Sequence, residues 1–281
     1  MLQLTAAVRH SEFVGPETVL QVLDAPSIAS QVRPGQFVMV RCGGLPLRRP
    51  LSIHAASGDR IALLFRVAGT GTELLSRVEQ GCTVELTGPL GNGYTVPSVT
   101  GRVVLVAGGM GIAPLCFLAA SLAGRREVIL VHGVRCSRDL YQIPAALREL
   151  VQDVEALDNV KWLQATDDGS AGAFGSALEV ALPLLEEAAQ VYLCGPHGMC
   201  VAAHGFASGN GDITHQLSSV SCSPRMRELL VSAEVSLEVR MGCGVGACYA
   251  CSIPTLQGRR KVCTDGPVFR FGDVVWEDIC T

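Results

Sequence analysis

Short apolar runs dominate the first hundred residues. QFVMVRC (36–42), RIALLFRV (60–67) and CTVELTG (82–88) are rich in β-branched or aromatic residues, with Pro, Gly and Asp turn signals between them. Several short strands at this spacing predict a small antiparallel β-barrel. From Arg102 the pattern changes. VVLVA (103–107), EVILVHG (127–133), NVKWLQAT (159–166) and QVYLCG (190–195) read as buried strands. Helix-like stretches lie between them at 113–124, 143–157 and 177–188. Strand–helix alternation predicts a parallel sheet with crossovers. Residues 204–224 are polar and Gly/Ser-rich and read as a linker or surface insertion. The last fifty residues hold a cysteine cluster and little periodic core. The expected architecture is a β-barrel domain at 1–99 and an α/β domain at 100–205. A linker or insertion at 206–232 then leads to a small C-terminal domain at 233–281.

Val103 to Gly124 carries no charge over 22 residues, long enough to span a bilayer. Gly108, Gly109, Gly111 and Pro114 would break such a helix, so a buried strand, a glycine turn and a helix explain the run better. The length of 281 residues suits about two domains. With 48% hydrophobic and 17% charged residues, the composition excludes a disordered, collagen-like or coiled-coil chain. A net charge of −4 excludes a strong general attraction to nucleic acid or to an anionic membrane. The opening MLQLTAAVRHSEF lacks the features of a signal peptide. A reducing, cytoplasmic setting is therefore expected, with the 12 cysteines present as thiols or metal ligands.

Four of those cysteines, Cys243, Cys248, Cys251 and Cys263, follow a C-x4-C-x2-C-x11-C spacing. Four thiolates are what a [2Fe–2S] cluster needs, and C-x4-C-x2-C is the plant-type ferredoxin spacing. Gly242, Gly244 and Gly246 let the loop wrap closely and turn its amides toward the sulfurs. Zinc is the rival metal, although its sites usually pair two close C-x2-C units. Four buried free thiols are the bland alternative. For most of the other eight cysteines, packing is the better reading.

Two segments of the barrel carry candidate chemistry. In Leu47–Ile53 an Arg and a Ser flank a backbone fixed by Pro50, and they can hold a diphosphate and a ring edge. Farther on, Gly71 and Thr72 open a helix whose free amides can bind phosphate. Taken singly, a surface Arg and an ordinary helix cap would explain them. Gly108, Gly109 and Gly111 sit between a buried strand and a helix, where glycine lets a dinucleotide approach the backbone. Cys194-Gly195-Pro196 ends another buried strand, and parallel sheets bind ligands at such ends. A small core residue is the alternative reading of Cys194.

RRPLS (48–52), the GTGT segment (69–72), GPLGNGY (88–94), GGMGIAPL (108–115) and CGPHGM (194–199) together resemble the ferredoxin–NADP reductase superfamily. The terminal GCGVGACYAC and VCTDGPVF resemble the electron-transfer subunits of NAD-dependent, two-subunit dihydroorotate dehydrogenases. That resemblance covers nearly the whole chain. It implies FAD on the barrel, NAD on the α/β domain, a [2Fe–2S] cluster on the C-terminal domain and a partner subunit that holds FMN. Arg49, Pro50, Leu51 and Ser52 are then FAD contacts, as are Leu64, Phe65, Arg66, Gly71 and Thr72. Cys194 lies beside the nicotinamide in that superfamily. Members that prefer NADP often place a Ser and an Arg near the end of the strand that here runs into Thr166-Asp167-Asp168. Two carboxylates would repel the extra phosphate, and Asp167 can accept from a free ribose hydroxyl, so NAD is expected. Solvent-facing aspartates are the alternative.

The chain departs from the pattern at three places. The stretch from Cys200 to Ser232 is longer, Val239 stands where a second acidic residue is usual, and no aromatic is clearly placed at the chain end to cover the flavin, Trp276 being a candidate in name only. Function follows from electron counting. A hydride carries two electrons, a [2Fe–2S] cluster accepts one, and a flavin can do both. The expected order is NAD, FAD, [2Fe–2S], partner FMN, in a heterotetramer of two copies of each chain that serves pyrimidine biosynthesis. No general acid, base or nucleophile is required. A subunit of a hydrogenase, sulfide dehydrogenase or transhydrogenase would share the cofactors and differ in partner. A zinc-stapled protein without redox activity would lack flavin and iron–sulfur absorption bands.

Overall fold

In the first hundred residues the apolar runs become six strands whose inward faces fill one another. The structure is a computed structural model that describes residues 2–96, 100–209 and 222–279. The barrel strands are β1 (Leu2–Phe13), β2 (Thr18–Asp24), β3 (Phe37–Val40), β4 (Arg49–Ser57), β5 (Arg60–Arg66) and β6 (Thr83–Leu90). Two short helices, α1 (Pro26–Ala29) and α2 (Thr70–Ser76), sit in the connections. The sheet closes in the order β1-β2-β5-β4-β3-β6, with β6 pairing back onto β1 in antiparallel register. Along β6 buried and partly exposed positions alternate, as one wall of a barrel requires. Val8, Leu23, Ile53 and Leu63 are fully or almost fully buried inside.

The second half builds a sheet from β7 (Arg102–Gly108), β8 (Glu127–Val134), β9 (Lys161–Thr166), β10 (Ala173–Phe174) and β11 (Ala188–Cys194). The helices are α3 (Ile112–Leu122), α4 (Ala145–Leu150), α5 (Ala177–Ala181), α6 (His197–Ser208) and α7 (Pro224–Ser232). Beyond them come β12 (Glu234–Ser236), the hairpin β13 (Ser252–Thr255) and β14 (Gly258–Lys261), α8 (Val262–Asp265) and β15 (Val268–Arg270). The sheet order is β10-β9-β8-β7-β11-β12-β15, parallel except for β15. Val103 to Ala107 of β7 are all buried because both faces of the sheet are covered. The order reverses between β7 and β11, so a crevice opens at their carboxyl ends. The uncharged run 103–124 is thus strand, turn and helix. Among the described residues no helix is long and apolar enough to cross a membrane.

Several predicted elements differ. The 143–157 helix stops at Leu150, where the fully buried Val151 leaves helical dihedrals (φ −134°, ψ 92°), and a 3-10 stretch continues to Asn159. The 177–188 helix breaks at Ala181 because Pro183 cannot donate into the ladder, and a 3-10 turn replaces it. In the predicted linker, residues 204–208 belong to α6. Its far end enters α7 through Ser223, whose hydroxyl accepts from the Met226 amide. Residues 210–221 lie outside the described residues. The tail holds more core than its pattern predicts. Phe271 and Trp276 are buried against each other, with ring centroids 4.8 Å apart. Trp276 therefore covers no cofactor. Its burial was hard to see because short 3-10 turns have no sustained period.

Continuous apolar cores join the parts. Leu64 of the barrel packs with Ile112 and Leu115 of α3, and Phe37, Met39 and Leu90 pack with Cys251 and Ile253. His54 of β4 adds a polar latch. Its Nδ1–H donates to the Ala113 carbonyl (3.0 Å), and the Tyr141 hydroxyl donates to Nε2 (2.8 Å). Burial pushes His54 down to about 4, and His132 likewise to about 4. Unfolded histidine titrates near ~6.5, so between these values the unfolded chain binds protons that the native chain refuses. Stability is therefore expected to be full above about pH 6.5 and to fall toward pH 4, by on the order of 3 kcal/mol for each histidine. Urea midpoints at pH 7 and pH 5 test this, and the drop should be smaller in His54→Gln.

Candidate functional site

From Met241 the chain enters a loop shaped by its glycines. Gly244 and Gly246 adopt φ of +71° and +78°, and a Cβ on Gly244 would lie 2.6 Å from Met39 Cγ on the barrel. This backbone aims amides at sulfur. The N–H groups of Val245 (3.4 Å), Ala247 (3.3 Å) and Cys248 (3.4 Å) donate to Cys243 Sγ. Gly246 N–H donates to Cys263 Sγ (3.2 Å), and Cys263 N–H to Cys251 Sγ (3.4 Å). The Val245 amide leads in holding the Cys243 thiol down to about 6, which favours the thiolate. The sulfurs group in pairs, Cys243 with Cys248 and Cys263 with Cys251. Four thiols under five amide donors fit a two-iron cluster, with Cys243, Cys248, Cys251 and Cys263 as the residues that would hold it.

The run before this loop forms a wall of a cavity of about 400 Å³. Ser236 to Met241 make that wall, and Pro50, Leu51 and Ser52 of β4 face it with Leu64, Phe65 and Arg66 of β5. The volume lies in the range of small-molecule pockets. Glu238 is exposed to this cavity, yet protein encloses it, and that burial raises its carboxyl above the usual range. Arg49, Gly71 and Thr72 lie outside the lining but are brought next to it. A Cβ on Gly71 would come within 2.5 Å of Arg49 Nε, so the two barrel motifs meet. The Thr72 hydroxyl is spent locally, accepting from the Ala68 amide and donating to the Gly69 carbonyl, both at 3.0 Å.

A second cavity, about 580 Å³, lies at the crevice between β7 and β11. Gly108 and Gly109 line it, and Leu64, Arg66 and Met110 line both cavities. Gly111 has another job, since a Cβ there would fall on the carbonyl of Cys194. Cys194 and Gly195 do not line either cavity. Cys194 is buried in the core, where desolvation pushes its thiol well above the ordinary value. Pro196, Gly198 and Met199 reach the lining instead. Asp167 lines the cavity, with its carboxyl raised first by burial and then by Glu179. Asp168 instead accepts from the Ser170 amide (2.9 Å). Sequence reasoning missed His132, Arg135 and Glu179 in the lining. The first two flank the end of β8, so the strand-end rule applied to β7 and β11 would have found them.

Comparison with known proteins agrees with this arrangement. An oxidoreductase NAD-binding domain family matches residues 105–205. The iron–sulfur cluster binding domain of dihydroorotate dehydrogenase B matches residues 238–275. The dihydroorotate dehydrogenase B (NAD(+)) electron transfer subunit of Desulforamulus reducens is 38% identical over 276 residues, 94% of this chain and 95% of that protein. Its counterpart in Clostridium acetobutylicum is 34% identical and covers 88% of each chain. Among solved structures, an NADH-dependent reduced ferredoxin-NADP oxidoreductase superposes with a TM-score of 0.75 at 24% identity, over 97% of this chain and 90% of that one. The Amycolatopsis cytochrome P450 reductase GcoB gives 0.57 at 27% identity, over 80% and 68%.

Proposed function

Because the chain belongs to the family of dihydroorotate dehydrogenase B electron transfer subunits, we propose that it carries electrons between NAD(H) and the FMN of a dihydroorotate-oxidising partner. The route uses FAD and a [2Fe–2S] cluster of its own. One observation carries this reading: a single run, Ser236 to Met241, walls the smaller cavity and then delivers Cys243. The other side of that cavity shares Leu64, Arg66 and Met110 with the nucleotide crevice. Three sites thus stand in a row.

A flavin held there would supply the conversion between two-electron hydride chemistry and the one-electron chemistry of an iron–sulfur cluster. The chain's residues bind and orient. Pro50, Leu51, Ser52, Leu64, Phe65 and Arg66 hold the flavin ring, while Arg49, Gly71 and Thr72 hold its diphosphate. Gly108, Gly109 and Asp167 take the dinucleotide, and Gly111, Cys194 and Gly195 set the floor beneath it. Cys243, Cys248, Cys251 and Cys263 hold the irons. Residues 1–99 serve as the flavin domain and the α/β part from residue 100 as the NAD domain; the expected separate 233–281 domain shares the latter's sheet through β12 and β15, and its cysteine loop and β13–β14 hairpin carry the cluster. The assembly is a cytoplasmic heterotetramer of two copies of each chain, acting in pyrimidine biosynthesis.

Co-purification with an FMN-binding chain, followed by NAD-dependent oxidation of dihydroorotate, tests the reading. A reconstituted pair that does not turn over dihydroorotate would instead favour a hydrogenase, sulfide dehydrogenase or transhydrogenase subunit. Cofactor choice is a separate prediction. Asp167→Arg should raise kcat/KM for NADPH relative to NADH by about tenfold or more, since it replaces repulsion of the phosphate by attraction. Reduction of a dye acceptor by each nucleotide measures this. An unchanged ratio would remove Asp167 from the adenosine subsite.

A further inference from the structure

Counting electrons asks for no acid or base, but a hydride also carries a proton. NADH yields NAD+, two electrons and one proton. An iron–sulfur cluster passes the electrons singly and carries no proton. For each electron pair sent to the cluster, one proton must therefore leave the flavin cavity by another way. One must enter when electrons run back toward NAD+.

The wall of that cavity holds a group suited to the task. β12 ends at Ser236, and the Leu237 amide then donates to the Pro267 carbonyl (2.9 Å) while the Leu237 side chain joins the core. With Leu237 turned inward, Glu238 beside it faces the cavity, opposite Ser52 of β4 and Arg66 of β5. Protein encloses Glu238, yet among the described residues no amide or side chain donates to its carboxylate. Other carboxylates of the C-terminal part are satisfied, Asp265 by the Lys261 amide (2.8 Å) and Glu234 by the Thr95 amide (2.8 Å). An enclosed carboxyl without a partner is costly, so its partner is what the cavity is built to hold.

Glu238 also stands apart chemically. Arginine and serine neither take up nor release protons at neutral pH, which sets aside Arg66, Arg240, Ser52 and Ser236 in the same lining. Burial raises the Glu238 carboxyl above the usual carboxylate range and so closer to neutral pH, where it can both accept and donate. Its charged neighbours are Arg66 of β5, which already pairs with Glu17 (3.3 Å), and Arg240 on its own run. Its titratable neighbours are the thiols of Cys194 on β11 and Cys200 on α6, each raised first by burial and then by the Glu238 charge. Arg240 is exposed, so solvent lies two residues along the wall.

We propose that Glu238 is the proton-exchanging residue of this cavity. Its carboxylate takes up one proton for each electron pair that leaves through the cluster and passes it to solvent. Its carboxylic acid returns one for each pair that arrives. This rests on the reading of the cavity as the flavin site and of the cysteine loop as the electron exit.

The test uses purified holoprotein and Glu238→Gln, which keeps the shape and loses the proton site. NADH is given either cytochrome c, a one-electron acceptor, or a two-electron dye, to which the proton leaves with the hydride. The ratio of one- to two-electron turnover should fall about a hundredfold in Glu238→Gln, and Glu238→Asp should recover part of it. In wild type that ratio should rise with pH as the carboxyl ionises, and Glu238→Gln should lack this limb. Infrared difference spectra give a readout independent of turnover. On electrochemical reduction, when electrons arrive without hydride, wild type should show a change in a protonated-carboxyl band that Glu238→Gln lacks. Flavin and iron content report whether each variant is intact. If Glu238→Gln loses flavin, Glu238→Asp and the wild-type band still decide. A wild-type ratio in Glu238→Gln, or a wild-type spectrum silent in the carboxyl region, would overturn the inference and leave the electron-transfer reading standing. If wild type itself binds no flavin, both fall.

Discussion

Cys251→Ser is expected to strip most of the iron from the purified protein and to lower dihydroorotate turnover of the complex by at least about a hundredfold. Cys251 is 4% exposed, its sulfur accepts the Cys263 amide, and it pairs with the Cys263 thiol. Serine offers a harder, shorter donor at a buried point where the backbone cannot follow, because Cys251 and Cys263 both belong to the core that holds Phe37 and Met39. Ligand binding to the folded state also stabilises it, so iron loss should lower the melting temperature. NADH-driven reduction of a two-electron dye should survive, since both cavities lie upstream of Cys243 and neither is lined by Cys251. Iron per chain, the spectrum of the reduced protein and the two activities measure these effects separately. A variant with full iron and unimpaired transfer to the partner would remove Cys251 from the ligand set.

The same loop shows which parts of the site were legible. Spacing named the four cysteines, and the glycines at 244 and 246 announced a backbone that could bring amides onto sulfur. What spacing cannot supply is the pairing of sulfurs, which depends on where Cys263 returns after the hairpin. The barrel and the parallel sheet were equally readable, because β6 alternates and β7 is apolar throughout, and each pattern has one packing solution. The glycine turn after β7 was legible as a turn, but not which glycine serves which neighbour. Gly109 faces open space while Gly111 meets β11. Cys194 shows the same limit. A strand end places a residue near the crevice, and only the opposing helix decides whether its side chain faces the cavity or the core. Glu238 was invisible for a different reason. In the alternating run VSLEVRM a carboxylate at a polar position reads as solvent-facing, and the cavity it shares with β4 and β5 is formed by residues far away in sequence.

Gly111→Ala and Gly109→Ala, two residues apart, are expected to fail in opposite ways. Gly111 has ordinary helical dihedrals, φ −58° and ψ −15°, so alanine meets no backbone strain there. Its Cβ would fall on the carbonyl oxygen of Cys194, which cannot retreat because Cys194 is held in the ladder beside Ala107. Overpacking of this kind costs about 3 kcal/mol, and for a chain of this size that lowers the melting temperature by roughly 6–12 °C. Gly109 is the reverse. Its φ is +51° and a Cβ would meet no atom within 4 Å, so alanine costs only about 1 kcal/mol of backbone strain. That open space belongs to the crevice, so the methyl should instead raise the KM for NADH by about tenfold while the fold survives. Melting curves and dye-reduction kinetics on both variants separate the two roles. A Gly111→Ala protein that melts like wild type would disprove the contact with β11, and an unchanged KM in Gly109→Ala would move the dinucleotide off this turn.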